Sequence, residues 1–152
     1  MISGDELQIL LVEDDDDHAE IVTRGLAVNR VLNQIHRVSD GEAALDYVFR
    51  RGAYADPALS PRPNVILLDL RLPRVDGLNV LRTIKESDEV RNIPVVVLTT
   101  SDAERDVTSA YDHRANSYLV KPVDFDKFTE MMHTLGFYWL AWNREPADEQ
   151  HT

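Results

Sequence analysis

Charged or hydroxyl side chains follow four short apolar runs of the sequence, at the points where the runs end. The runs are Ile9–Val12, Val65–Leu68 and Val95–Leu98, with a weaker run at Ser117–Val120. The residues that follow them are, in order, Glu13 with Asp14, Asp69, Thr99 with Thr100, and Lys121. If the runs are neighbouring parallel strands, their carboxyl ends meet at one edge of a sheet, where open α/β sheets bind ligands. The pattern therefore predicts that three carboxylates, a hydroxyl and an ammonium converge at one site.

The three carboxylates of this predicted site repel one another. Two carboxylates about 4 Å apart repel by roughly 4 kcal/mol at an effective dielectric of 20, and a whole domain is stable by only about 5–15 kcal/mol. The acids must therefore take up protons or bind a cation, and ligands that are all oxygen favour Mg²⁺. With Mg²⁺ bound, one carboxylate can attack phosphorus to give an aspartyl phosphate. A lysine and a threonine hydroxyl suit the phosphoryl oxygens.

The apolar runs alternate with segments of helical spacing, which predicts an α/β sandwich. A weaker run at Gln34–Val38 gives a fifth strand, and helical spacing recurs in His18–Val28, Gly41–Arg50, Gly77–Glu86 and a more polar segment, Asp102–His113. Runs that are apolar at every position suit strands buried on both faces of a parallel sheet. We predict a flavodoxin-like, doubly wound sheet of five strands in the order 2-1-3-4-5 with five helices, and a loop at Arg51–Asn64.

The predicted last helix is extended and aromatic. Its apolar stripe consists of Phe125, Phe128, Met132, Leu135, Trp139 and Trp142, spaced three or four residues apart. The stripe suits packing onto the core, whereas Phe137, Tyr138 and Leu140 would form an exposed patch, and such patches mark partner surfaces. We therefore predict a homodimer through this helix. We expect one domain over residues 1–143 and a polar, disordered tail over 144–152.

The composition excludes several classes of function. The chain has 152 residues and a net charge of −11, so we expect it to bind neither nucleic acid nor an anionic membrane. It has no cysteine, which excludes disulfides and Cys-ligated zinc. Because it shows no secretory signal and no apolar run near the roughly 20 residues that span a bilayer, we predict a soluble, cytoplasmic protein. We interpret Asp15–Asp17 as a solvated acidic face and the five histidines as surface or capping residues.

Four ordered motifs resemble the receiver domain of two-component response regulators over about residues 7–135. They are Leu10–Asp14, Leu67–Pro73 with Asp76-Gly77, Val97–Ser101, and Tyr118–Pro122. The resemblance implies that Asp69 is the phosphoacceptor, that Thr99 and Lys121 contact the phosphoryl group, and that Tyr118 is the switch aromatic. The implied Mg²⁺ ligands are Asp14, the Asp69 carboxylate, the backbone carbonyl of Arg71, and Glu13 through a water molecule.

By this resemblance the protein is a signalling switch and not an enzyme in the usual sense, although it would catalyse its own phosphorylation and dephosphorylation. A sensor histidine kinase would phosphorylate Asp69, and the face of helix 4, strand 5 and helix 5 would then change conformation or dimerise. The loop with Arg62-Pro63 and the extension Phe137–Trp142 are similar to single-domain regulators that serve bacterial and cyanobacterial phytochrome histidine kinases. Arg114-Ala115 departs from the Gly-Ala turn usual in the family, so we expect a different local turn there.

Three alternatives remain open at the level of sequence. The chain could be a phosphate shuttle or sink without its own output, or a receiver-like interaction module that is never phosphorylated. It could also be a Mg²⁺-dependent phosphatase with an aspartyl nucleophile. That chemistry normally requires a second acid two residues after the nucleophile, where this chain has Arg71.

Overall fold

The sheet has the predicted topology. The computed structural model describes residues 7–27, 33–99, 114–121, 126–128 and 130. Five strands pair in parallel in the order β2-β1-β3-β4-β5. Their bounds are β1 Leu7–Val12, β2 Asn33–Val38, β3 Val65–Asp69, β4 Val95–Thr99 and β5 Ser117–Val120. The prediction of a flavodoxin-like fold with this strand order is confirmed.

Three helices are described in full, namely α1 Asp16–Ala27, α2 Gly41–Phe49 and α3 Gly77–Lys85. Each begins after an aspartate whose carboxylate accepts a backbone N–H of the first turn, a capping contact worth about 1 kcal/mol. The caps are Asp15, Asp40 and Asp76. The loop predicted at 51–64 contains two short 3₁₀ turns, Gly52–Tyr54 and Pro57–Leu59.

The strands bury side chains on both faces of the sheet, as their uniformly apolar sequences predict. On one face, alternate strand residues pack with α1 and with Phe128, which lies in a helical stretch at 126–128. On the other face, the intervening residues pack with α2 and α3. Burying each such Leu, Ile or Val side chain is worth roughly 1.5–3 kcal/mol. The packed sheet therefore fixes the positions of the residues that follow the carboxyl ends of its strands.

Two glycines let the helices lie directly against the loop that follows β3. A Cβ on Gly77 would lie 2.4 Å from Leu70 Cα and 2.5 Å from the Asp69 carbonyl oxygen. A Cβ on Gly41 would lie 1.8 Å from the Val75 carbonyl oxygen. Because real side chains do not tolerate such distances, both positions require glycine, and the backbone around Asp69 is packed on two sides.

Several predicted elements fall outside the described residues. They include helix 4 at 102–113, most of the extended last helix with Phe137, Tyr138 and Leu140, and the polar tail at 144–152. Among the helices that are described, none combines the length and the apolar character needed to cross a membrane.

Candidate functional site

A buried ammonium group joins two buried carboxylates at the carboxyl edge of the sheet. The Nζ atom of Lys121, which follows β5, lies 2.6 Å from Glu13 Oε1 and 3.2 Å from Asp69 Oδ2. The Glu13 side chain is fully buried, and those of Asp69 and Lys121 are only 8% and 6% exposed. Three residues that are far apart in sequence therefore meet because each stands at the end of its own parallel strand.

Asp14 completes a group of three acids at this edge. One carboxylate oxygen from each of Glu13, Asp14 and Asp69 can be chosen so that all three lie within 4.8 Å of one another. Glu13 and Asp69 are buried and Asp14 is exposed, so the group opens to solvent on the Asp14 side. The donors are all oxygen, and hard divalent cations such as Mg²⁺ and Mn²⁺ prefer such ligands. The donor set therefore fits a divalent cation.

The charges of the site are only partly balanced. Burial raises the pKa of Glu13, the hydrogen bond from Lys121 opposes this rise, and Asp69 adds to it. Burial by itself would lower the pKa of Lys121, but the hydrogen bond to Glu13 and the charge of Asp69 outweigh it, so that this pKa is raised. One ammonium thus stands against three carboxylates, and a bound cation would offset the remainder.

The loop between β1 and α1 is held at several points. The Glu13 N–H donates to the Val38 carbonyl oxygen at 3.1 Å, and Glu13 Oε2 accepts the Asp15 N–H at 3.2 Å. Asp15 caps α1 through the His18 N–H at 3.0 Å, and this hydrogen bond is the main cause that lowers the pKa of Asp15. Arg37, from β2, bonds to the same loop.

The acidic run has more structure than its interpretation as a solvated face implied. Asp15 and Asp16 are exposed, as predicted, but Asp15 caps α1 and Asp16 Oδ1 pairs with Arg37 Nη1 at 2.8 Å. Sequence reasoning also missed Arg37 itself. Its position at the end of the strand beside β1 was the signal that could have shown it.

The loop between β3 and α3 orients the Asp69 carboxylate. Asp69 Oδ1 accepts the backbone N–H of Arg71 at 2.9 Å, while Oδ2 faces Lys121. Ligation of a metal by the Arg71 carbonyl stays a prediction. Farther along this loop Arg74 has a left-handed backbone with φ of 69°, and its Nε atom lies 3.1 Å from Glu42 Oε1. The loop is thus tied to the first turn of α2.

The remaining predicted residues lie on β4 and β5. Thr99 is the last residue of β4 and pairs in register with Val120, the residue before Lys121. Its side chain lies outside what the structure describes. Tyr118 is partly buried and packs against the core on the side of α2 and α3. The assigned phosphoryl and switch roles of these two residues stay predictions.

His18 is a neighbour of the site that sequence reasoning treated as an ordinary surface or capping residue. Its Nδ1 atom lies 3.2 Å from Lys121 Nζ and 4.0 Å from Glu13 Oε2, and its side chain is 40% exposed. It stands in the first turn of α1, which begins at the site. Its distance of four residues from Asp14 was the available signal.

A second buried lysine lies at the opposite, amino edge of the sheet. Lys85 Nζ donates to the carbonyl oxygens of Arg91 and Ile93 and to Asn116 Oδ1, each at 3.0 Å. Arg114 takes the left-handed conformation with φ of 68°, and its guanidinium donates to the Lys85 carbonyl oxygen at 3.0 Å. The turn that departs from Gly-Ala thus carries an arginine that bonds back to α3.

A family model of the response regulator receiver domain matches residues 9–133. This range includes all five strands of the sheet except the first two residues of β1. The chain belongs to the response regulator receiver family. Members of this family are typically phosphorylated on an aspartate, and histidine kinases phosphorylate them. The expectation that the protein is a receiver-type signalling protein is confirmed.

Two curated relatives are similar over almost their whole lengths. The probable methanogenesis regulatory protein FilR2 of Methanothrix harundinacea is 44% identical over 95% of this chain and 95% of its own. The response regulator Rcp1 of Synechocystis is 39% identical over 91% of this chain and 92% of its own. The chain is thus similar over nearly its whole length to one protein described as a regulatory protein and to one described as a response regulator.

Solved structures similar to this receiver include phytochrome response regulators. The bacteriophytochrome response regulator RtBRR has a TM-score of 0.80 and 41% identity, covering 95% of this chain and 87% of its own. Phosphorylated RcpA, a cyanobacterial phytochrome response regulator, has a TM-score of 0.72 and 36% identity over 89% and 94% of the two chains. The Mn²⁺-bound form of Rcp1 has a TM-score of 0.70 and 39% identity over 88% and 94%.

Proposed function

We propose that Asp69 of this receiver accepts a phosphoryl group from a sensor histidine kinase in a Mg²⁺-dependent reaction. The observation that carries the proposal is the position of the Asp69 carboxylate, between the Lys121 ammonium at 3.2 Å and the other acids of the site. A nucleophile, a cation for the phosphoryl oxygens and ligands for a metal are thus within reach of one another. Phosphoryl transfer depends mainly on such positioning and charge neutralisation.

The step transfers the phosphoryl group from nitrogen to oxygen. A carboxylate oxygen of Asp69 attacks phosphorus, the bond from phosphorus to the donor imidazole breaks, and the electron pair of that bond stays on the imidazole. The Arg71 N–H holds the carboxylate through Oδ1. Lys121 exchanges a carboxylate oxygen for a phosphoryl oxygen, and the Thr99 hydroxyl is the proposed second contact.

The proposed ligands of Mg²⁺ are Asp14, the Asp69 carboxylate, the Arg71 carbonyl and, through water, Glu13. Bound Mg²⁺ offsets the charge of these acids and of the incoming phosphoryl oxygens. The three-acid cluster supports this assignment, as does the Mn²⁺ bound by the similar protein Rcp1. Lys121 supports it as well, because it neutralises only part of the negative charge.

The proposed output is a shift between two conformations. The phosphoryl group of an aspartyl phosphate carries about −1.5 to −2 of charge in place of the single charge of the Asp69 carboxylate, and this charge draws Thr99 and Lys121 inward and lets Tyr118 change its rotamer. The face formed by helix 4, β5 and helix 5 then changes its population of states. Dimerisation through Phe137, Tyr138 and Leu140 is part of the proposal, and so is a location in the cytoplasm.

The partner we propose is a phytochrome histidine kinase. RtBRR and RcpA, both similar over most of this chain, are described as phytochrome response regulators. FilR2, by contrast, is described as a probable methanogenesis regulator. Phosphotransfer from a purified phytochrome kinase, compared with a non-phytochrome kinase at equal concentration, distinguishes these possibilities. Faster labelling of the receiver by the non-phytochrome kinase would refute the phytochrome assignment.

The test of the phosphoacceptor uses intact-protein mass spectrometry. Acetyl phosphate with Mg²⁺ should add one phosphoryl group to the wild type, and Asp69→Asn should abolish the addition. Asp88→Asn is the matched control, because the Asp88 side chain is 92% exposed on the surface. Labelling of the Asp69→Asn variant would show a different acceptor. An unlabelled wild type would favour a module that is never phosphorylated, and turnover of a generic phosphate ester would favour a phosphatase.

A further inference from the structure

Arg37 makes an unusual set of contacts for a residue near the end of an edge strand. Its Nε and Nη2 atoms donate to the Glu13 carbonyl oxygen at 3.0 and 2.8 Å, and its Nη1 atom lies 2.8 Å from Asp16 Oδ1. Two of these contacts reach the loop between β1 and α1, and the third reaches Asp16, the first residue of α1. Among the described residues β2 is an edge strand that pairs with β1, and Arg37 adds these side-chain contacts to the backbone hydrogen bond between Val38 and Glu13.

The position of these contacts relative to Asp14 is informative. The Glu13 carbonyl belongs to the peptide unit that joins Glu13 to Asp14, and Asp16 lies two residues beyond Asp14. Arg37 therefore bonds to the backbone directly before Asp14 and to the side chain of Asp16 after it, while the Asp14 carboxylate itself is exposed. A single planar guanidinium supplies all three nitrogen atoms in a fixed arrangement, which the single nitrogen of a lysine does not reproduce.

The charge of Arg37 adds a second effect. Asp16 is a further acid two residues after Asp14, and its pairing with Arg37 occupies one of its oxygens. With Arg37 absent, Asp16 would lose this partner. Arg37 thus bonds to the loop that carries Asp14 and also forms an ion pair with the neighbouring Asp16.

We infer that Arg37 is a positioning residue for the metal site, which holds Asp14 in the geometry that binds a divalent cation. The inference rests on the proposed function, since it concerns the metal site of that proposal. Partners that orient metal ligands from outside the first coordination sphere typically change metal affinity by about 10–100-fold when they are removed. We expect a change near the lower end of that range, because Arg37 acts on the backbone and not on the Asp14 carboxylate.

The experiment titrates Mn²⁺ alone and measures the free ion by electron paramagnetic resonance. Arg37→Ala should raise the Kd for Mn²⁺ about tenfold, and Arg37→Lys should restore only part of the affinity. Arg91→Ala is the matched control, because it removes the same charge from a surface pair with Asp88 and should leave the Kd unchanged. Asp16→Ala keeps both bonds from Arg37 to the Glu13 carbonyl and should change the Kd less than Arg37→Ala does.

A second readout separates positioning from general stability. Phosphorylation by acetyl phosphate should require more Mg²⁺ in Arg37→Ala, yet reach nearly the wild-type rate at saturating Mg²⁺. An unchanged Kd in a folded Arg37→Ala variant would overturn the inference, as would an equal rise in Arg91→Ala. If urea titration shows that Arg37→Ala is unfolded, the inference is tested by comparing the Kd for Mn²⁺ of Arg37→Lys with that of the wild type. A wild type that binds no Mn²⁺ would instead refute the proposed metal site itself.

Discussion

The two buried lysines of this receiver occupy opposite edges of the same sheet and have opposite environments. Lys121, at the carboxyl edge, bonds to the carboxylates of Glu13 and Asp69. Lys85, at the amino edge, bonds to two backbone carbonyls and to the Asn116 side-chain oxygen, all uncharged. Both are almost fully shielded from solvent, at 6% exposure for the Lys121 side chain and 7% for Lys85.

The difference appears in the pKa of each ammonium. Burial lowers the pKa of Lys85, and the nearby charge of Arg114 lowers it further. Burial acts in the same direction on Lys121, but its two carboxylate partners reverse the outcome. The ammonium of Lys121 can exchange its carboxylate partners for phosphoryl oxygens and still face negative charge. The neutral acceptors around Lys85 suit a fixed structural role. Burial of a lysine is therefore no indication of chemistry by itself.

The largest expected difference between the two lysines is in phosphorylation rate. Lys121→Met should slow labelling by acetyl phosphate roughly 10²–10³-fold, because it removes a preorganised donor to the developing charge. Lys85→Met should remain within a few-fold of the wild type under conditions where it is folded. Rates are measured by mass spectrometry at saturating Mg²⁺. Equal losses in the two variants would show that the loss in Lys121→Met reflects folding and not chemistry.

The next largest difference is in stability. Lys85→Met should lower the free energy of unfolding by about 2 kcal/mol or more, since three oxygen atoms lose a buried donor. Lys121→Met leaves two carboxylates without their cation and should also be less stable in the absence of metal. Adding Mg²⁺ should narrow the difference in stability between Lys121→Met and the wild type, whereas the difference between Lys85→Met and the wild type should stay the same, because Mg²⁺ stabilises both of these proteins alike. Urea titrations with and without Mg²⁺ measure this, and an equal narrowing of both differences would contradict the distinction.

A smaller difference is expected in alkaline solution. The lowered pKa of Lys85 means that the unfolded chain holds this proton more tightly than the folded one. Its contribution to stability therefore rises as pH increases from the folded pKa toward the ordinary value of 10.5. The raised pKa of Lys121 gives a contribution that is complete below 10.5 and lost as pH rises through the folded pKa. As pH rises toward 10.5, the wild type should gain stability relative to Lys85→Met but not relative to Lys121→Met. A gain of the same size relative to both variants would contradict the assignment.

The smallest expected effect concerns the turn beside Lys85. Arg114→Gly relieves a left-handed backbone, worth roughly 1–2 kcal/mol, but removes the hydrogen bond to the Lys85 carbonyl, worth about 0.5–1.5 kcal/mol. The net change in the free energy of unfolding should stay within about 1 kcal/mol. Arg114→Ala loses the bond and keeps the strain, so its Tm should be lower than that of Arg114→Gly. The reverse order would mean that the left-handed backbone at this position carries no strain that glycine relieves.

The strands were predictable because burial on both faces leaves a simple signature. Val65–Leu68 and Val95–Leu98 are apolar at every position. In the structure the corresponding strands, β3 and β4, each extend one residue beyond the run. The convergence of Glu13, Asp69 and Lys121 followed from parallel pairing alone. No further knowledge of the side chains was needed for it.

The contacts around the site were not predictable in the same way. Arg37 reaches the Glu13 carbonyl only because β2 pairs with β1 in a register that sets Leu11 opposite Arg37. His18 approaches Lys121 only because α1 begins where Asp15 caps it. Lys85 resembled any basic residue in the last turn of a helix. Each depends on a distance across the fold, which periodicity and residue type do not encode.

The spacing of the site along the chain has a consequence for the order in which the molecule is made. Lys121 lies 108 residues after Glu13 and 52 after Asp69, and synthesis proceeds from the amino terminus at about 5–20 residues per second. Both acids therefore leave the ribosome several seconds before the lysine that pairs with them. During that interval the nascent chain holds the carboxylates without their ammonium. The proposed phosphoacceptor site is completed only when the last strand of the sheet has been added.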